Sequence, residues 1–417
     1  MQMRPHAFLL LLAASGILPA AAAPATVARL AALPDGATPT PAVHSGRTVA
    51  REGGALAYQW PGLYFETRFE GRRLDFATGP GEVILHVRVD GAPVATLERP
   101  EPGAYRIDGL DDGPHEVRIE VATESQAGPN RFDGFFLPPG SRALPVPARA
   151  RRIEFIGDSH TVGYGNLSTQ RECSEAQVWA STDNTRAFGP RVARHYDADY
   201  RVSAISGRGV VRNYGGGPGD TLPQAWPWRL FDHGAADTGG DGWQPQVVAI
   251  ALGTNDFSTP LRPGERWPDR PALHADYQRA YVAFVRSLRS RYPGAHFVLW
   301  ATDRAEGEIR EQVERVVARL HEGGERAVSF LPVAGLDMGG CHWHPSLADH
   351  ARIADALVRH LDALAVGWPR SPHPTAQDDG SVQRDASPHG RRWRNSTRYT
   401  PAVHASPAAQ PASTSDG

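Results

Sequence analysis

The chain has 417 residues, 41% of them hydrophobic, and a formal net charge of −2 at pH 7. With about 100–200 residues to a domain, that length holds two domains and tails. The near balance of charge gives no electrostatic reason to expect a nucleic-acid partner. Proline and glycine are abundant, 36 and 43 residues, with much of the proline towards the two ends.

Residues 1–22 read as a signal peptide: a basic start at Arg4, an apolar run from Ala7 to Leu18, and small residues Ala20 to Ala23 that offer a cleavage site. The run is too short to span a bilayer, and Pro19 breaks it. No later stretch is apolar enough to cross one, so no membrane partner is expected. The chain is expected to be exported, secreted or periplasmic. An oxidising compartment allows a disulfide between its two cysteines, Cys173 and Cys341, with two separate thiols as the alternative.

Residues 23–45, rich in Ala, Pro and Thr without a sustained period, read as a linker. Over 46–138 the period is two. Leu63, Phe65, Thr67 and Phe69 alternate with Tyr64, Glu66 and Arg68. Val83, Leu85, Val87 and Val89 precede a turn at Asp90-Gly91, and His115, Val117, Ile119 and Val121 follow one at Asp112-Gly113. Short strands between turn signals, with no helical run, predict an all-β, jelly-roll-like sandwich. Residues 138–151 read as a proline-rich connector.

The pattern over 150–367 differs. Apolar runs at 152–156, 200–205, 246–252, 296–301 and 327–331 read as buried parallel strands. Helices are predicted over 275–291, over 305–321, and after Ser346, whose spacing to Asp349 makes a capping box. Alternation of this kind gives an α/β domain with a parallel sheet in a three-layer, flavodoxin-like arrangement, and ligands bind at the carboxyl ends of its strands. Residues 369–417 carry too few apolar side chains to offset their ordering entropy, and disorder is expected there.

Three of those strand ends, and the loop before the last helix, carry suggestive residues. The first strand runs into Gly157-Asp158-Ser159-His160, where a serine beside glycines can be held at a tight turn with its hydroxyl exposed. The second ends in Ser206-Gly207-Arg208-Gly209, where a glycine N–H can face a ligand closely. The third ends in Gly253-Thr254-Asn255-Asp256, where the asparagine amide can donate to a developing oxyanion. Cys341-His342-Trp343-His344 supplies an imidazole before the last helix. Each piece alone is ordinary turn or packing sequence; order and position make the case. Asp158 and Asp256 read as hydrogen-bonding struts for these turns. His342, His344 and His350 lack a completing carboxylate or cysteine set, so no metal and no cofactor is expected.

The four blocks, in this order, resemble the SGNH (GDSL-type) hydrolases, and the preceding sandwich narrows the likeness to carbohydrate esterase family 2. The segments IGDSHTVGYGN, SGRGVVRNYGG, LGTNDFS and WHPS carry the resemblance, which covers roughly residues 46–366. It implies a serine esterase with Ser159 as nucleophile and His344 as base. The N–H groups of Ser159 and Gly207 and the amide of Asn255 would hold the oxyanion. It also implies acetylated polysaccharide or oligosaccharide as substrate partner. Trp343, beside the base, would wall a sugar ring or an acetyl methyl, with core packing as the alternative. Trp226, Trp228 and Trp243 suit stacking on sugar. One departure stands out. Where many members carry an aspartate two or three residues before the histidine, this chain has His342 and Cys341. A backbone carbonyl must then orient the imidazole, or a more distant acid such as Asp337. Two other readings remain: a carbohydrate-binding protein with an inert or secondary serine site, and a general GDSL esterase or lipase.

Overall fold

The computed structural model describes residues 24–364 and 366–369. The expected signal peptide and nearly all of the expected disordered tail lie outside these residues.

The first part of the chain is an all-β sandwich whose strands all pair antiparallel. One sheet has seven strands and the other six. Strand Tyr64–Glu70 lies beside Pro114–Val121, which lies beside Ile84–Val89. Phe65, Phe69, Leu85, Val87, Val117 and Ile119 enter the core between the sheets, where they meet Phe76, Phe132 and Phe135 from the other sheet. These are the period-two positions.

The expected linker is not free over its described residues, 24–45. Thr26–Arg29 adds as an edge strand to Gly103–Asp108, Thr38–Pro39 pairs with Asn130–Leu137, and Val43–Ser45 pairs with Tyr64–Glu70. Most of their side chains are exposed, and although Ala25 and Val27 pack on the core, the strands are too short for an alternation to mark them. The proline-rich connector likewise contributes a short strand, Arg142–Leu144, against Tyr64–Glu70.

The second part is built on a five-stranded parallel sheet. Its order is Ala198–Ala204, Arg151–Gly157, Val247–Ala251, His296–Thr302, Val328–Val333. Successive residues of Val247–Leu252 face opposite ways. Val247, Ala249 and Ala251 pack under the helices Phe188–His195 and Leu347–Ala363. Val248, Ile250 and Leu252 pack under Arg270–Arg291 and Glu308–Glu322. The helix expected from residue 275 begins earlier because the Asp269 side chain caps it, accepting from the Ala272 N–H at 2.8 Å. Helix Phe188–His195 has no clear signal, since its Gly189-Pro190 reads as a turn. Pro190 sits in the first helical turn, where no N–H is needed, and Gly189 lets the helix pack closely, since a Cβ there would lie 3.0 Å from the Phe155 ring. The chain leaves the first strand to one side, then crosses to the other. The switch point therefore falls between the ends of Arg151–Gly157 and Val247–Ala251.

The two domains meet across buried charge. Glu154, in the middle of the first parallel strand, accepts from Arg47 of the sandwich at 3.1 Å, from Ser203 at 2.6 Å and from the Trp226 indole at 3.0 Å. The Arg47 guanidinium lies 4.9 Å from the Trp60 and Trp226 ring centres and also pairs with Asp237 at 2.9 Å. Removing one partner of a buried ion pair costs about 3–5 kcal/mol, because the other charge stays buried. Arg47→Ala should lower the unfolding free energy by about that much in urea melts, with Arg201 beside Asp237 limiting the loss to the lower end.

Candidate active site

Past Gly157 the backbone turns sharply into the short helix Ser159–Val162. Asp158 caps this helix by accepting from the His160 N–H at 3.0 Å, and Gly163, at φ +82°, ends it. Gly157 must be glycine, since a Cβ there would lie 2.0 Å from the Thr161 hydroxyl. The turn presents the Ser159 hydroxyl to the Nε2 of His344 at 2.8 Å. Nδ1 of the same imidazole faces two backbone carbonyls, Cys341 at 2.9 Å and His342 at 3.1 Å. Carbonyls only accept, so the proton resides on Nδ1 and Nε2 is left to accept from the serine. Burial holds the imidazole pKa down, to about 4, against the opposing pull of the two carbonyls. Asp337 is not the orienting acid in this arrangement: its carboxylate is exposed beside Arg171 at 3.5 Å.

The loop bearing His344 is pinned. His342 and Trp343 both have positive φ, 51° and 58°, a conformation that must be held from outside. The His342 N–H donates to the Arg171 carbonyl at 2.7 Å, and its Nε2 donates to the Cys173 carbonyl at 2.8 Å. Its Nδ1 accepts from the Tyr164 hydroxyl at 3.1 Å. A disulfide joins Cys173 to Cys341. Cys341 also packs directly on Gly165, whose Cβ would approach the Cys341 Cβ to 2.4 Å. His350 is turned away into the core, where its Nδ1 accepts from the Phe188 N–H at 3.2 Å, so the three histidines do not converge.

Gly207 lies in the turn after Ala198–Ala204, at φ +82°. None of the hydrogen bonds among the described residues uses the N–H of Ser159 or of Gly207. Asn255 follows strand Val247–Ala251, on the other side of the strand that leads to Ser159, and its amide donates to the Arg208 carbonyl at 2.9 Å and to Asp158 at 3.2 Å. Asp256 accepts from three successive N–H groups, Val210, Val211 and Arg212, each at 2.9 Å. These two carboxylates hold the turns together at a cost: burial raises Asp158 to about 7 and Asp256 to about 6.

Two regions of the chain match known families: residues 44–147 match the carbohydrate esterase 2 N-terminal domain, and residues 155–377 match the GDSL-like lipase/acylhydrolase family. The chain is 42% identical over 371 residues to an acetylxylan esterase / glucomannan deacetylase of Cellvibrio japonicus, across 88% of this chain and 100% of that protein. The chain belongs to the GDSL-like hydrolases, in carbohydrate esterase family 2. It is similar to a solved carbohydrate esterase described as having divergent catalytic and non-catalytic binding functions. That likeness has a TM-score of 0.74 at 42% identity and covers 78% of this chain and 98% of the other. It is also similar to a family two carbohydrate esterase from Clostridium thermocellum solved with cellohexaose, with a TM-score of 0.70 at 27% identity over 79% of this chain and 100% of the other.

In this family 2 esterase the tryptophans are mostly structural. Trp226 and Trp243 are buried, and Arg201 lies 4.3 Å from the Trp243 ring. Trp228 stacks on His233 at 4.6 Å. Their stacking role on sugar is therefore corrected to packing on protein cations and rings. Trp343 differs, with 48% of its surface exposed beside the imidazole, and Tyr214, not singled out in the sequence, is 60% exposed just past the Gly207 turn. Tyr164 was also missed as a separate feature; its ring lies 4.3 Å from the His344 ring. Its position five residues past the serine is the only trace in the sequence.

The disulfide closes a loop with a sequence separation of 168, which chain-entropy reasoning makes worth about 5 kcal/mol at most. Reductant should lower the unfolding midpoint of the wild type and leave that of a Cys173→Ser/Cys341→Ser double variant unmoved. A wild-type midpoint indifferent to reductant would show that the bond does not form.

Proposed function

We propose that the protein is an exported esterase that removes O-acetyl groups from carbohydrate of the acetylated xylan or glucomannan type. The observation that carries this is the Ser159 hydroxyl at 2.8 Å from an imidazole whose other nitrogen is fixed by two carbonyls. Ser159 Oγ attacks the ester carbonyl carbon while its proton moves to Nε2 of His344. The oxyanion is received by the N–H groups of Ser159 and Gly207. Asn255 joins them by giving up its longer bond, the one to Asp158. The tetrahedral intermediate collapses, the C–O bond to the sugar breaks, and His344 returns the proton to the departing hydroxyl. Water then attacks the acetyl-serine, again losing a proton to Nε2; the bond from the acyl carbon to Ser159 Oγ breaks, His344 returns the proton to Oγ, and acetate leaves. A dyad suffices because the Nδ1 proton stays put; the carbonyls orient the ring and stabilise the imidazolium dipole without taking the proton.

The sugar substrate rests on the relative's name, acetylxylan esterase / glucomannan deacetylase, together with the exposed Trp343, next to His344 in the chain, and Tyr214, just past the Gly207 turn. Cellohexaose in a similar structure favours, as a second reading, that the same protein also binds unacetylated chains. Export is supported by the N-terminal pattern and by the disulfide.

Acetate release from acetylated xylan and from 4-nitrophenyl acetate, measured for wild type and Ser159→Ala, tests the reading. Release by the wild type should fall by at least about 10³-fold in the variant, while binding to xylan persists. Equal activity of the two would remove Ser159 from the mechanism. The pH profile tests the base. A folded-state pKa lowered to about 4 leaves His344 neutral, and so able to accept, at every pH above that value. The log of kcat/KM should therefore stay level down to the region of pH 5, then fall with unit slope as His344 becomes protonated. An acid limb near the ordinary histidine value would contradict this environment for His344.

A further inference from the structure

The sandwich sends the loop Ala122–Pro129 across to the α/β domain, where it ends on the residue before Gly207. The Glu124 carboxylate accepts from the Ser206 N–H at 2.6 Å. The Gln126 side-chain amide donates to the Ser206 carbonyl at 3.2 Å and to the same Glu124 oxygen at 3.2 Å. Both polar groups of the Ser206 backbone are thus taken by the other domain.

Peptide geometry gives this a direct consequence. The Ser206 carbonyl and the Gly207 N–H belong to one planar, trans peptide unit and point in opposite directions. Fixing the carbonyl with Gln126 therefore aims the Gly207 N–H the other way. Glu124 fixes the plane before it, and the Gly207 carbonyl is held by the Tyr214 N–H at 2.9 Å. Gly207 has no neighbour within 4 Å of its would-be Cβ, so surrounding atoms do not hold it and its orientation depends on these bonds. The clamping loop is itself anchored. The Asn184 N–H donates to the Ala122 carbonyl at 2.8 Å, Gln59 donates to the Ser125 carbonyl at 3.0 Å, and the Phe231 N–H donates to Gln59 at 2.9 Å.

We propose that Glu124 and Gln126 are positioning residues that aim the Gly207 N–H at the oxyanion, so the sandwich is a working part of the catalytic centre. This rests on the reading of Ser159 as nucleophile and Gly207 as oxyanion donor. Loss of a preorganised donor acts on the transition state and leaves ground-state binding alone.

Kinetics on 4-nitrophenyl acetate and thermal melts should be measured for full-length wild type, Glu124→Ala, Gln126→Ala, Glu124→Gln and Ser159→Ala. Glu124→Ala and Gln126→Ala are expected to lower kcat by about tenfold or more, with KM within about twofold of wild type. The melting temperature should move by no more than about 2 °C. Glu124→Gln, whose amide oxygen still accepts from the Ser206 N–H, should keep kcat within about threefold of wild type. A wild-type kcat in both alanine variants would overturn the proposal. So would a rise in KM at constant kcat, which would make these residues substrate contacts, or a kcat loss that tracks a lower melting temperature and is not rescued by glutamine. A Ser159→Ala variant as active as wild type would instead bring down the underlying reading, whatever the Glu124 series does.

Discussion

Two carbonyl oxygens meeting one ring nitrogen, those of Cys341 and His342 against Nδ1 of His344, set the terms for the rest of the site. Without a carboxylate, the direction and tautomer of the imidazole depend wholly on backbone geometry, and backbone carbonyls do not reach back to the next side chain unless the chain is bent hard. That bend is the pair of positive φ values at His342 and Trp343. Such conformations cost of order 1–3 kcal/mol each and persist only where the surroundings over-determine them. Here the surroundings are a disulfide, a glycine contact too close for any side chain, and a histidine bonded at both ring nitrogens.

The same logic governs the other two strand ends. Buried carboxylates gather the backbone of their loops. Asp256 collects three consecutive N–H groups of the turn beyond Gly207, and Asp158 caps the serine helix while meeting Asn255. Burial penalises the charged form of both acids, and the charge on Asp256 further raises the pKa of Asp158. The cost is offset because a backbone turn held by one rigid acceptor cannot drift.

The sandwich takes part in this architecture and does not merely precede it. Arg47 places its guanidinium between two indoles and on Glu154 in the strand that leads to the serine. Arg149 and Arg118 surround Glu66 near the same junction, and Tyr64 donates to Asp199 at 2.6 Å. Such desolvated, mutually satisfied charges tolerate little sliding, because any shift leaves a buried ion unpaired. The strand ends and the sandwich loops thereby keep one fixed relation.

Much of this was legible in the residues. Period-two alternation in Tyr64–Glu70 and Pro114–Val121 marked the sandwich, and short, mainly apolar runs marked the five parallel strands. The ordered Ser, Gly, Asn and His blocks marked the candidate site and the family. These signals are local: a side chain's face and a turn's glycine are decided within a few residues. What stayed hidden depends on distant partners. Edge strand Thr26–Arg29 is held largely by backbone bonds to Gly103–Asp108, far along the chain, and its apolar contribution is too short to read as a strand. The choice of which tryptophans are packed on arginines and which face solvent is made by chain segments far apart in sequence. The sequence by itself determined the two domain classes and the identity and order of the reactive groups. Only the tertiary structure decided what orients His344 and how the sandwich meets the Gly207 turn, because both rest on contacts to backbone carbonyls and N–H groups, which every residue carries and no sequence pattern distinguishes.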